Sequence, residues 1–215
     1  MSMNVFGSGI LTLTADNEGL GSELHLTIQS GNISIESGND GINTNEDDVS
    51  VITINGGNIG ISAGLGGEGD CIDSNGYLVV NNGHIFAFAH PASDSGLDSS
   101  LGTFLHGGSV LAMGSAEDGI HEDSRQITMN LQFSTPQSPR SEIILTREDG
   151  TKFYDFQVED AYDRPYTGLI LASDSLKPGE ICHLYIDGQQ MSHHNTVDFL
   201  ISETVNVFSG ITAAE

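Results

Sequence analysis

Val51-Ile52-Thr53-Ile54-Asn55-Gly56-Gly57-Asn58-Ile59-Gly60-Ile61-Ser62 is the stretch on which the fold turns. Two aliphatic pairs, Ile52/Ile54 and Ile59/Ile61, alternate with small or polar residues on either side of a Gly-Gly turn, so each half reads as a short strand with one apolar face. The same figure recurs along the chain. Gly9 precedes Leu11 and Leu13, Gly31 precedes Ile33 and Ile35, Gly83 precedes Ile85 and Ala87, and Gly108 precedes Val110 and Ala112. Successive glycines of this series are 22, 26, 26 and 25 residues apart. The upstream strand repeats in phase as Leu26/Ile28, Leu78/Val80 and Thr103/Leu105.

A third element completes each period. It reads Glu18-Gly19-Leu20, Asp40-Gly41-Ile42-Asn43, Asp70-Cys71-Ile72-Asp73, Ser95-Gly96-Leu97-Asp98 and Asp118-Gly119-Ile120-His121. Three short strands per period, separated by Gly/Asn/Ser/Asp turns, are the mark of a solenoid coil, because one coil cannot bury its own aliphatics whereas stacked coils can. The pattern predicts an all-β, right-handed parallel β-helix of about five coils over residues 1–125. Ile33, Ile59, Ile85 and Val110 would form one inward ladder, and Ile42, Ile72, Leu97 and Ile120 another. The Leu-x-x-Leu-x-Leu frame of leucine-rich repeats does not occur.

From about residue 126 the repeat fades. Turns at Glu148-Asp149-Gly150, Lys177-Pro178-Gly179 and Asp187-Gly188 mark residues 126–215 as a β-rich part that caps the solenoid or packs along its flank. An exposed solenoid end is a row of unpaired edges and calls for such cover.

The 215-residue chain carries 30 Asp and Glu against 6 Lys and Arg, a formal net charge of −24. Residues 1–124 hold no Lys or Arg and 17 acids. Such a surface repels nucleic acid and calls for counter-ions. No apolar run approaches the roughly 20 residues that span a bilayer, and the N-terminus lacks the basic-then-apolar profile of a secretory signal. Cys71 and Cys182 form no metal or redox spacing.

Asn39, Asp40, Asn43, Asp70, Asp73, Asp94, Asp98, Glu117 and Asp118 supply hard oxygen donors at matched positions of successive third elements. Stacked about one strand spacing apart, near 4.8 Å, their carboxylates repel one another until a cation intervenes. Ca²⁺, with six to eight oxygen ligands, suits that geometry. A single Asp-Gly is ordinary turn chemistry; several copies in register, in a stretch without one basic residue, point to calcium.

These blocks and the Ile-Asn-Gly-Gly-Asn-Ile strand pair resemble the bacterial calcium-containing carbohydrate-binding parallel β-helix family related to polysaccharide (pectate) lyases. The endings Glu148-Asp149-Gly150-Thr151 and Tyr185-Ile186-Asp187-Gly188 are similar to that family's as well. Cys71, Ser95 and His121 depart from the acidic pattern. The resemblance implies calcium at the matching positions above and an extracellular or cell-surface location in a bacterium. It also implies non-catalytic, calcium-dependent binding of acidic or cellulosic plant cell-wall polysaccharide (polygalacturonate or cellulose).

Two alternatives stay open. The related lyases abstract a proton with a Lys or Arg beside calcium, and the first such residue here is Arg125. A surface scaffold or adhesin would use calcium only to stiffen the coils. For sugar stacking, strand alternation turns Phe86 and Phe88 outward, with Leu111 and Met113 one coil on, and Tyr77 occupies a turn. That apolar patch serves either as a sugar platform or as the seat of the C-terminal part.

Overall fold

The period of the sequence becomes the period of the fold. The computed structural model describes residues 1–90, 94–115, 119–158 and 163–215, and its regular elements are all strands. The first coil comprises β1 (Ser2–Val5), β2 (Ile10–Ala15) and β3 (Leu20–Ser22). The second holds β4 (His25–Ile28), β5 (Asn32–Ser37) and β6 (Ile42–Thr44), and the third β7 (Val51–Ile54), β8 (Asn58–Ser62) and β9 (Ile72–Ser74). The fourth holds β10 (Tyr77–Val80), β11 (His84–Phe88) and β12 (Leu97–Ser99), and β13 (Gly102–Leu105) and β14 (Ser109–Gly114) begin a fifth.

Stacking produces three parallel sheets: A, in the order β1-β4-β7-β10-β13; B, through β2-β5-β8-β11-β14; and C, β3-β6-β9-β12. The register matches equivalent residues. Ile33, Ile59, Ile85 and Val110 align across sheet B, and Ile42, Ile72 and Leu97 across sheet C. All seven are buried in one aliphatic core, each contributing roughly 1.5–3 kcal/mol by leaving water. At the corner between sheets C and A the interior turns polar. There Thr44 Oγ1 and Ser74 Oγ lie 2.9 Å apart and the Ser50 hydroxyl donates to the Thr44 carbonyl, so the buried hydroxyls satisfy one another.

The A-to-B turn needs its glycine. Gly83 has φ +118°, and a Cβ there would lie 3.1 Å from the Gly57 carbonyl of the coil below.

The fifth coil stops short, so the expected five are four complete coils and a partial one. Ile120, expected to extend the ladder of sheet C, forms an isolated parallel bridge with Thr103 and covers the end of sheet A. An aliphatic residue between turns suits either edge, and without a following strand to fix it, Ile120 closes the core above β13.

The remaining strands are β15 (Thr128–Gln137), β16 (Glu142–Arg147), β17 (Lys152–Gln157), β18 (Tyr166–Ala172), β19 (Ile181–Ile186), β20 (Gln189–Ser192), β21 (Phe199–Leu200) and β22 (Val205–Ala213). Sheet B runs on into them. β18 pairs antiparallel with β14 on one side and with β15 on the other, which removes the open edge. Ile170 and Ala172 of β18 join the solenoid core, while Leu169 and Leu171 point into a second core with Phe88, Leu111 and Met113. At Asp187 (φ 50°) and Gly188 (φ 74°) two consecutive left-handed residues make the tight turn of the β19–β20 hairpin. Cys71 and Cys182 are buried in these two different cores, and no disulfide joins them.

Candidate functional site

The turns from sheet B into sheet C gather the acids read from the sequence. Asn43, Asp73 and Asp98 stand in register on successive strands of sheet C. Just before these strands the carboxylates clamp the backbone of a neighbouring coil. Asp40 Oδ1 accepts from the Asp70 N–H at 2.9 Å, and Asp70 Oδ1 from the Ser95 N–H. Asp94 Oδ2 accepts from the Gly69 N–H at 2.9 Å. Asp40 Oδ2 also accepts from Asn43 Nδ2 at 2.7 Å, which leaves Asn43 Oδ1 buried with no hydrogen-bond donor. A buried acceptor without a donor is unusual and unfavourable.

The electrostatics of this corner are strained. Burial pushes the Asp70 carboxyl up to about 7, and the charges of Asp73, Asp40 and Asp94 add to the rise, against the lowering effect of the Ser95 N–H bond. Glu18, one coil below Asp40, is raised in the same sense by burial and then by Asp40 and Glu23.

As the side chains stand, no group of three or more His, Cys, Asp and Glu among the described residues forms a closed metal-ligand set. Asp40 and Asp70 spend oxygens on backbone N–H groups, so a cation here would draw on amide and carbonyl oxygens too, as a hard ion does. The unpartnered Asn43 Oδ1, beside Asp40 and in register with Asp73, is the donor such an ion would complete. Asn39 is tied in through its main chain, its carbonyl accepting from the Ser37 hydroxyl and the Gly64 N–H. Glu117 and Asp118 lie outside the described residues.

The aromatic candidates separate. Phe88 is 7% exposed and belongs to the second core, and Phe86 stacks on Phe156 of β17 with centroids 4.9 Å apart. Both rings meet the C-terminal strands, Phe88 buried among them and Phe86 half-buried against β17, so the apolar patch of sheet B seats the C-terminal part. Tyr77 differs. It starts β10 rather than sitting in a turn, is 39% exposed, and faces Phe104 of β13 at 6.0 Å. Phe104 in turn stacks on His121 at 4.2 Å. Phe104 escaped notice in the sequence, although the alternation that turned Phe86 outward also turns Phe104 outward between Thr103 and Leu105. Arg125 binds the Leu105 carbonyl through its N–H, which places it at the A-to-B corner and away from the acidic corner.

Residues 3–133, nearly all of the solenoid and the first part of β15, match the family described as carbohydrate-binding domain-containing protein. The chain belongs to that family. No curated protein and no solved structure matches it. The match to the carbohydrate-binding family covers the coils that carry both the acidic corner and the Tyr77–Phe104 rings.

Proposed function

We propose that this carbohydrate-binding family member is a non-catalytic module that binds plant cell-wall polysaccharide, polygalacturonate or cellulose, with calcium held in the acidic corner. The carrying observation is the donorless Asn43 Oδ1 among Asp40, Asp70 and Asp73. A Ca²⁺ ion there would be held by Asp40, Asn43, Asp70 and Asp73, with a second position between Asp70, Asp73, Asp94 and Asp98. It would neutralise like charges one coil apart and offer remaining coordination positions to a uronate carboxylate. In keeping with the family resemblance, the protein acts outside a bacterial cell.

The test is retention on immobilised polygalacturonate with calcium and with EDTA, with unsaturated-product absorbance read in the same tubes. Retention that needs calcium, without an absorbance rise and weakened by Asp73→Asn, is expected. Product formation would turn the reading into a lyase, and calcium-dependent stability without retention on any polymer would turn it into a stiffened scaffold.

A further inference from the structure

Sheet A presents a face unlike the rest of the molecule. In a chain of net charge −24, the outward positions of β1, β4, β7, β10 and β13 carry no acid. They read Ser2 and Asn4, His25 and Thr27, Val51 and Thr53, Tyr77 and Val79, Gly102 and Phe104, the inward residues between them being apolar or Thr103. The C-terminal strands extend and pack on sheet B rather than on this face. At its C-terminal end the Tyr77, Phe104 and His121 rings form a continuous row, with centroids 6.0 and 4.2 Å apart.

Along the border toward sheet B runs a row of amides. Asn81 Nδ2 donates to Asn55 Oδ1 at 2.8 Å, and Asn55 Nδ2 donates to Gln29 Oε1 at 3.1 Å. Each amide has two donors and two acceptor lone pairs, so the row keeps spare groups directed at solvent. Past the row, a trough of about 510 Å³ crosses the coils along Gly31, Gly57 and Gly83.

We infer that the outer face of sheet A is a binding surface for an uncharged polysaccharide, the Tyr77 and Phe104 rings stacking on pyranose faces and the Gln29–Asn55–Asn81 row bonding sugar hydroxyls, independently of the acidic corner. This inference rests on the carbohydrate-binding reading, narrows its substrate to the uncharged glycan and assigns that glycan a surface. Aromatic faces with adjacent neutral amide donors are the chemistry that a sugar ring, apolar on its faces and hydroxylated on its rim, requires. A polyanion would find no Lys or Arg at the outward positions of these strands to offset the acids elsewhere.

The experiment is retention on microcrystalline cellulose in EDTA, below the calcium-free melting temperature, for the wild type, Tyr77→Ala, Phe104→Ala and Glu148→Gln. The two aromatic variants should lose about tenfold in affinity each with circular dichroism unchanged, and Glu148→Gln, an exposed change in the turn between β16 and β17, should bind as the wild type does. Because the chain has no Trp, Tyr77→Trp adds a single reporter that should keep binding and shift its emission on adding cellohexaose. Undiminished retention of Tyr77→Ala and Phe104→Ala, or cellulose binding that requires calcium, would overturn the inference. Retention on polygalacturonate alone would leave the proposed function standing and remove this surface; retention on neither polymer would remove both.

Discussion

Asp70 concentrates the energetics of the acidic corner in one carboxyl. Its pKa in the folded protein is pushed up to about 7 from an ordinary 3.8, so the folded state binds its proton more tightly than the unfolded chain does. The resulting stabilisation is fully present below about pH 4 and is lost as pH rises through 7. In EDTA the wild type should therefore melt lower at pH 8 than at pH 5. Asp70→Asn should melt above the wild type at pH 8, lose most of that margin at pH 5, and show a smaller rise on adding calcium. A margin independent of pH would contradict this account. Calcium binding near pH 6.5 should release protons, since the ion takes the carboxylate form. The acids themselves were legible in the sequence because they recur at one phase of the period. Their clamping of the neighbouring coil's N–H groups was not, because it depends on which main-chain donors the turns leave unpaired.

At the scale of the element, the Asp-Gly-Ile spelling has two structural meanings. In the second coil a Cβ on Gly41 would fall 2.3 Å from Ile61 Cγ2 and 2.6 Å from the Cys71 carbonyl, so the glycine is there for space. In the third coil Cys71 takes the equivalent place, and the residue in register with Ile61 is the smaller Ala87. At Gly119 a Cβ would meet nothing within 4 Å. Gly41→Ala should thus cost about 1–3 kcal/mol through overpacking, lowering the melting temperature by about 2–4 °C per kcal/mol for a chain of this size. Gly119→Ala should change it by a degree or so, and equal losses in a thermal melt would refute the distinction. The strands were legible because alternation and period agree. The fate of Ile120 was not, since a lone aliphatic carries no record of which sheet receives it.

For the whole molecule, β18 ties two cores into one folding unit. Ile170 is buried in the solenoid core and Leu169 and Leu171 in the other, so neither core keeps its covering strand if the other opens. Calorimetry should show a single transition, and Ile170→Ala, at a cost of about 2–5 kcal/mol, should lower that transition without splitting it. Two resolved transitions would mean that the cores melt independently. The turns of the C-terminal part could be read in advance. The antiparallel pairing of β18 with β14 could not, because it joins strands more than fifty residues apart by contacts with no local signature.

The amide row on sheet A also has a sense of direction. Asn81 gives its proton to Asn55, and Asn55 gives its own to Gln29, every dipole pointing toward the first coil. A glycan has a reducing and a non-reducing end, and its hydroxyls do not present the same order of donors and acceptors when the chain is reversed. A strand of sugar laid along the solenoid axis therefore meets a one-way track, and its two orientations are unequal in energy.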